Sequence, residues 1–587
     1  MPHTLAEIRP GAYYDSVVLM QLQRALADLP GVDDAGVVMC TTANKELLAQ
    51  SGLLTPEIQT AAPEDLVIVV RAQELEAAHS ALAQVDALLT RRRSNDTNSY
   101  RPKSLESAVK MLPDAAWVLI STPGRYAAGV ARQALDLGKN VFLYSDNVSL
   151  EDEISLKNAA AAKGLLVMGP DCGTAIVDGI GLGFANRVRR GNIGVVAASG
   201  TGLQAVTVGI HRLGGGVSQA YGTGGRDLSQ AVGGVTAKAA LARLAADTQT
   251  EVIVLVSKPP ALQVAEELLA LARQSGKPVV VDFIGYSPPA EAQKRRGGEE
   301  TIHFTRTLDE AAELAVTLAT PSAVRRPPSI VPIHNSQFTV HHSLFLRSLY
   351  SGGTLAYEAL YLLQDYLPTV YSNAPLKGGL HLPNSHQSQG HTVVDLGEDE
   401  FTVGRLHPML DNALRIRRLH AEAADPETGL ILLDVVLGDG AHPNPASELA
   451  PAIAQAIATA RSAGRKLPIV AVIIGTDADP QGLDSQIEQL AAAGAVVFTR
   501  HDEAVRAVGA ALTRDDRPQT TDDGRQTQPV TRNSQFATRN SFSALNVGLE
   551  SFTDSLKSQG AAVVHVDWKP PAGGNEKLMG ILARMRG

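Results

Sequence analysis

Two hydrophobic rhythms alternate along most of this chain. Short apolar runs recur at 117–121, 140–144, 165–168, 193–197, 216–220, 252–256 and 278–283, and again at 392–396, 430–436, 469–474 and 496–499. Most are rich in Val, Ile and Leu and are bounded by Gly, Pro, Asp or Asn, which predicts strands buried on both faces. Between them lie stretches such as 126–137 and 150–163, where apolar residues stand three and four apart, as on the buried side of a helix. In 150–163 the acidic residues come first and a lysine last, matching the helix dipole. This alternation predicts an α/β protein with parallel sheets covered on both sides.

The pattern divides into units. Residues 1–95 read as strand (8–14), helix (16–29), strand (35–39), short helix (43–51), strand (65–71) and helix (75–89), an order that resembles a ferredoxin-like α+β domain. A polar linker at 91–100 follows. Residues 101–188 form a Rossmann-like unit whose last strand runs into Gly169-Pro170-Asp171-Cys172-Gly173. Residues 190–320 and 340–514 each read as a doubly wound, flavodoxin-like unit, separated by a proline-rich linker at 320–332. The stretch 515–540 is polar and poor in apolar residues, a disordered tether. Beyond it, 544–587 regains a strand (545–549), a helix (551–559), a strand (562–568) and a last helix. A small ordered piece after a tether is expected to dock on a partner.

Two strand-to-helix turns carry the strongest chemical signal. Ser199-Gly200-Thr201-Gly202 follows one apolar run, and Ser351-Gly352-Gly353-Thr354 opens another helix. A tight turn at a helix start leaves backbone N–H groups unpaired beside the positive end of the dipole, so an anion such as a phosphate fits there. The expectation is that the two helix starts, from separate units, face one phosphate-sized ligand; the plain alternative is a close-packed turn. Gly224-Gly225-Arg226 ends another strand, where Arg226 clamps an oxyanion or merely serves a helix cap. Lys258 stands at a strand's carboxyl end, where open α/β sheets bind ligands, or on the surface. Arg405 and His407, in Gly-Arg-Leu-His-Pro, are the best acid–base or carbonyl-polarising candidates outside the turns, against a structural loop histidine. Cys172 reads as a small buried residue sooner than a nucleophile. His381, His386 and His391 are five apart, which is no metal spacing, and read as a solvated loop. Asp434 and Asp439 bracket a strand end, where binding of magnesium or of a substrate amine is the role left open.

Composition narrows the classes. A chain of 587 residues is too long for one core. A net charge of -9 implies no general affinity for nucleic acid, and Arg91-Arg92-Arg93 reads as solvated linker. The two cysteines cannot build a disulfide framework. No apolar run reaches transmembrane length, and Met1-Pro2-His3-Thr4 opens no leader pattern. A cytoplasmic protein with neither membrane nor nucleic acid as partner is expected.

A family resemblance now joins these residues. Gly169-Pro170-Asp171-Cys172-Gly173, the 199–202 turn and Gly222-Thr223-Gly224-Gly225-Arg226-Asp227 resemble the succinyl-CoA synthetase α subunit, whose patterns are GPNC, SRSGTLTYE and GIGGD. Residues 343–510 are similar to the carboxy-terminal domain of its β subunit, with 351–356 at the glycine-rich phosphate turn and 434–438 at the NIFGG-type loop. The fused arrangement, with Gly404-Arg405-Leu406-His407-Pro408-Met409 and the tail 566–574, resembles FdrA proteins over essentially the whole chain. The resemblance implies a Rossmann-like CoA-binding-type unit at 101–188 and two synthetase-type flavodoxin-like domains after it.

The departures change what it implies. The synthetase carries its phosphoryl group on a histidine in a GHAGA loop; here that loop is Gly285-Tyr286-Ser287-Pro288-Pro289-Ala290-Glu291-Ala292. The nearest histidine, His303, lies in a later strand-like run, and the place of the supporting glutamate is taken by Ala205. No ATP-grasp domain is found. A phosphate site without a phosphoryl carrier suits a phosphate that arrives on a small molecule. FdrA resemblance implies one: a subunit of an oxamate-type carbamoyltransferase in allantoin catabolism, binding carbamoyl phosphate and a small amide or amine acceptor and working with two other subunits. That chemistry needs no covalent enzyme intermediate and implies no definite cofactor, magnesium being the one left open. An acyl-CoA synthetase of the succinate–CoA ligase type, using CoA and ATP, is the second reading, and a non-catalytic scaffold subunit the third.

Overall fold

The computed structural model describes residues 2–10, 12, 16–63, 65–90, 100–286, 301–320, 344–402, 406–513 and 542–570. Among them the strands form four sheets. In the first, β1 (His3–Arg9), β2 (Val32–Met39) and β3 (Leu66–Ala72) pair antiparallel in the order β1-β3-β2. Leu-Val-Ile-Val-Val makes β3 the buried centre. Helix Ser16–Ala27 lays Leu19, Leu22 and Leu26 on the face that carries Ile68 and Val70. The first strand starts earlier than the expected 8–14, because pairing with β3 runs from His3 opposite Ala72 to Arg9 opposite Leu66. The expected helix 75–89 is two, Leu75–Ala83 and Val85–Thr90.

Next come the parallel strands β4 (Trp117–Ile120), β5 (Asn140–Leu143) and β6 (Val167–Met168). The hairpin β7 (Thr174–Val177) and β8 (Ile180–Gly183) then leaves this unit. It joins β9 (Arg190–Ala197), β10 (Val217–Gly222), β11 (Val252–Ser257), β12 (Val279–Phe283) and β13 (Ile302–Phe304) in one sheet of order β13-β12-β11-β9-β10-β7-β8. Residues 174–183 therefore belong to the third sheet rather than to the unit 101–188. Without the hairpin, the parallel strands run 2-1-3-4-5, the flavodoxin order.

The fourth sheet repeats that plan. Its strands are β14 (Phe345–Tyr350), β15 (Tyr371–Ser372), β16 (Leu380–His381), β17 (Thr392–Asp395), β18 (Thr428–Val436), β19 (Ile469–Ile474) and β20 (Val496–Phe498). All pairs are parallel, and β17-β14-β18-β19-β20 again reads 2-1-3-4-5. One apolar core runs through both flavodoxin-like units. It joins Leu203, Val206 and Ile210 of helix Gly200–Arg212 to Leu355, Ala356 and Ala359 of helix Gly353–Leu363 and to Val505 and Val508 beyond.

The tail takes a place inside the fold. Strands β21 (Ser543–Val547) and β22 (Ala562–Val566) flank helix Glu550–Ser558. They complete this chain's own second sheet, in the order β22-β21-β4-β5-β6. A bare β4 edge would leave a row of ladder groups unpaired, and Leu545 and Val547 bury fully beside Val118 and Ile120. Gln559 fastens the tail to the hairpin, accepting from Gly181 N at 2.7 Å and donating to Gly181 O at 3.0 Å. The linkers within 91–99, 321–332 and 515–540, and the last helix, fall outside the described residues. No helix among the described residues is long and apolar enough to cross a membrane.

Because β21 is central to this sheet, Leu545→Ala is expected to cost about 2–5 kcal/mol of stability. Urea unfolding followed by Trp117 fluorescence measures it; a change within about 0.5 kcal/mol would place the tail outside the fold.

Candidate functional site

In a 2-1-3-4-5 sheet the crevice opens between strands 1 and 3, where the connections diverge to opposite faces. In the third sheet those strands are β9 and β11, whose carboxyl ends lead into Ser199 and Lys258. In the fourth they are β14 and β18, which end at Ser351 and just beyond Asp434. The shared core sets the two crevices mouth to mouth. Ser199 Oγ caps its own helix by accepting from Gly202 N at 2.8 Å, and donates to Thr354 Oγ1 of the other unit at 2.6 Å. Gly352 is small because Thr201 is there: a methyl group on Gly352 would stand 2.6 Å from Thr201 Cγ2 and 2.9 Å from its Cβ. The expected convergence of two helix starts is the geometry found.

The two starts are not equivalent. Among the described residues, the amides of Gly200 and Thr201 have no hydrogen-bond partner, nor do those of Gly353 and Thr354. Ser351 N and Gly352 N are already committed to the Asp434 carboxylate, at 2.7 and 3.0 Å. Ser351 Oγ donates to the same group at 2.9 Å, and Arg415 Nη1 pairs with it at 3.0 Å. All of this is buried. An internal carboxylate thus fills the anion place expected of Ser351 and Gly352, and the open donors are those of Gly200, Thr201, Gly353 and Thr354.

Side chains converge on these donors from both units. A methyl group on Gly353 would stand 2.4 Å from Asp395 Oδ2 and 3.5 Å from Lys258 Nζ. Lys258 also lies over the Tyr357 ring, 5.7 Å from its centroid. A methyl group on Gly397 would stand 3.0 Å from His407 Nε2, 3.0 Å from Ser351 O and 3.2 Å from Asp395 Oδ1. His407 Nδ1 accepts from Met409 N at 3.2 Å, so the neutral ring carries its proton on Nε2. Burial, helped by the Arg415 guanidinium, lowers His407 to about 4 and keeps it neutral at physiological pH. Asp395 is buried, and desolvation raises it to about 7 against the pull of Lys258. Sequence reasoning missed Asp395. Its signal was available: an aspartate closing a predicted strand at the ligand-binding end of a parallel sheet.

Other candidates take different places. Arg226 Nε pairs with Glu153 at 2.9 Å and its Nη2 donates to Val148 O at 2.8 Å, which holds the loop after β10 to helix Leu150–Ala162. Its neighbour Asp227 pairs with buried Lys157 at 2.7 Å and caps the next helix through Thr236 N and Ala237 N. Gly224, at φ 87°, rests against the Gly169-Pro170 turn, and Gly225 follows beside Asp171. This cluster braces the second and third sheets together. Cys172 is buried, its Sγ lies 3.6 Å from Thr174 O, and desolvation pushes its thiol up to about 12, so it is no nucleophile. Asp439 forms a two-pronged pair with Arg187, both contacts at 2.8 Å. With Asp434 committed too, neither acid is left for magnesium, and no cluster of metal-binding side chains occurs among the described residues. His391 is a strand-edge acceptor for Leu346 N rather than a solvated residue. Arg405 lies outside the described residues.

Family models match three stretches of the chain. The family described as “AllF, heavy metal-associated domain” matches residues 1–104, “CoA binding domain” matches 188–285, and “CoA-ligase” matches 349–511. The CoA-binding match thus falls on the third sheet's unit, one later than the sequence reading placed it. Uncharacterized protein YahF of Escherichia coli is 42% identical over 499 residues, covering 84% of this chain and 95% of YahF. The chain belongs to the YahF family. Its domain make-up fits an FdrA/AllF-type fusion on a succinyl-CoA synthetase-like fold. ADP-forming succinate–CoA ligase subunit alpha 1 of Archaeoglobus fulgidus is 28% identical over 213 residues, 34% of this chain and 71% of that subunit. The corresponding alpha subunit of Aquifex aeolicus is 28% identical over 180 residues, 29% of this chain and 57% of the subunit. Among solved structures, the dinucleotide-forming acetyl-coenzyme A synthetase 1 of Ca. Korarchaeum cryptofilum aligns over 69% of this chain and 84% of its own, at 16% identity and a TM-score of 0.30.

Two substitutions probe this YahF-family site. Gly352→Ala forces the helix starts apart and is expected to cost about 1–3 kcal/mol while weakening sulfate binding measured by calorimetry. Asp434→Asn leaves Arg415 buried without its anion, an expected loss of about 3–5 kcal/mol in chemical denaturation. Wild-type stability in either variant would contradict the packing described.

Proposed function

We propose that this chain is the phosphate-binding subunit of a carbamoyltransferase of the oxamate type, acting on N-carbamoyl compounds such as those of allantoin catabolism together with two further subunits. The observation that carries the proposal is His407. A phosphoryl-carrying histidine must offer a lone pair. His407 offers an N–H, because its Nδ1 is taken by Met409 N, and burial keeps the ring neutral. Such a group polarises a carbonyl oxygen. The free amides of Gly200, Thr201, Gly353 and Thr354 then hold the phosphate of carbamoyl phosphate, and Lys258 adds a cation beside it. No covalent enzyme intermediate is required, only clamped reactants.

A second reading, an acid–thiol ligase, is favoured by the CoA-ligase and CoA-binding matches and by the succinate–CoA ligase names of the relatives. It needs a phosphoryl carrier. Along the second turn, the spacing that reaches Ala205 in the first reaches a glutamate, Glu358, with His501 beside it. That histidine is fully buried: Nδ1 meets Glu358 and Nε2 meets Tyr350 Oη at 2.9 Å. Neither nitrogen is open to a phosphoryl donor.

Labelled ATP separates the readings. The transferase is expected to incorporate no acid-labile phosphate; stoichiometric phosphohistidine on this chain would sink it and establish the ligase. Carbamoyl phosphate formation by the reconstituted complex is expected to fall about 5–30-fold in Ser199→Ala, the equivalent of one to two kcal/mol, and further in Gly353→Glu.

A further inference from the structure

We propose that Asp395 exchanges the proton of the reacting nitrogen, its Oδ2 standing over the start of helix Gly353–Leu363 between Lys258 of one unit and His407 of the other. The inference rests on the carbamoyl-transfer reading. It begins from how firmly the carboxylate is aimed. Asn373 fixes the Asp395 backbone from both sides, its Oδ1 accepting from Asp395 N and its Nδ2 donating to Asp395 O, each at 2.9 Å. Asp395 Oδ1 accepts from Gly397 N at 2.9 Å. Among the described residues Oδ2 accepts no hydrogen bond. One oxygen is anchored and the other faces the open amides.

The surroundings suit proton exchange. Lys258 approaches from the end of β11, His407 from the loop after 405, Glu398 from the turn after β17, and Asp434 from β18 with its partner Arg415 from helix Ala413–Ala424. Glu398 and Asp434 resist a further negative charge, while Lys258 favours it. Burial outweighs the lysine, so the carboxyl titrates near neutrality, where a proton donor and acceptor works best. His407 does not compete for this role, since its ring stays neutral well above its own titration.

In the direction that releases carbamoyl phosphate, a phosphate oxygen attacks the carbamoyl carbon. The C–O bond forms, the C–N bond breaks, and the nitrogen leaves with the proton from Asp395 Oδ2. In the opposite direction the Asp395 carboxylate takes that proton as nitrogen attacks and phosphate departs. Atoms and charge balance without any further reactant.

The placement predicts linkage. An anion bound beside Asp395 favours its protonated form, so binding takes up a proton and weakens as pH rises through the carboxyl's titration. Sulfate, which does not titrate near neutrality, is the probe, and calorimetry on the full chain from pH 6 to 8.5 is the measurement. Wild type is expected to lose affinity by up to about tenfold per pH unit above the titration midpoint. Asp395→Asn, which keeps the acceptor for Gly397 N, is expected to bind sulfate independently of pH. Lys258→Met is expected to move the midpoint upward. Identical pH dependence in wild type and Asp395→Asn would overturn the placement.

Turnover tests the chemistry separately. In the reconstituted complex Asp395→Asn is expected to lower kcat by about 100- to 10,000-fold, with the KM for phosphate little changed and the limb of the pH profile near neutrality removed. An unchanged kcat would overturn the proton-transfer role. An active Asp395-dependent sulfate step in a wild-type complex that makes no carbamoyl phosphate would overturn the carbamoyl-transfer reading itself.

Discussion

Two helix dipoles point their positive ends at one spot, and the rest of the molecule is arranged to make that tolerable. Helices Gly200–Arg212 and Gly353–Leu363 share one apolar core. Close contact of Gly352 with Thr201 and the Ser199–Thr354 hydroxyl pair set their spacing. A polar clamp fixes the rotation: Asn186 Nδ2 donates to Leu437 O at 2.9 Å and to Asp479 at 2.7 Å, beside the Arg187–Asp439 pair. Desolvated amides of like polarity repel one another, so the junction must supply negative charge.

It supplies that charge asymmetrically. Asp434, buried and shared with Arg415, answers the second turn from within. Among the described residues the first turn has no such carboxylate, and its amides of Gly200 and Thr201 stay open. Asp395 stands at the boundary, and its raised titration records the cost of placing another carboxylate there. The sign follows: with its folded-state titration above the ordinary value, Asp395 contributes stability that diminishes as pH rises from the usual carboxylate range toward about 7. A site that binds an anion gains from a neighbour able to discharge itself.

The same repeated plan explains why the halves diverged in chemistry. Both sheets run 2-1-3-4-5 and both open a glycine-rich turn at strand 1. In the first half the helix reaches Ala205, a residue with nothing to donate; in the second it reaches Glu358, which turns away to Leu308 N at 2.7 Å and to His501. Among the described residues, neither half aims a carboxylate or a free imidazole nitrogen along its helix at the junction. The side chains that reach the junction come instead from neighbouring segments, Lys258 from a strand end of the first half, and Asp395 from a strand end and His407 from a loop of the second.

Local pattern determined a good deal of this. Apolar runs and helical periodicity placed most strands of the α/β units, because a strand buried on both faces needs a continuous apolar sequence. The turns at 199–202 and 351–354 were legible as helix starts, since glycine and hydroxyl residues there favour a strand-to-helix turn. Only the tertiary structure decided the rest. That the tail closes this chain's own second sheet depends on the exposed edge of β4, more than four hundred residues earlier in the chain. That 174–183 changes sheets depends on the free flank of β10. Whether the amides at 351 and 352 are open depends on Asp434, and the titration of Asp395 depends first on its burial and then on a lysine from the opposite unit. Each of these is a contact between distant segments, and electrostatic character is set by such contacts rather than by the residue that bears the charge.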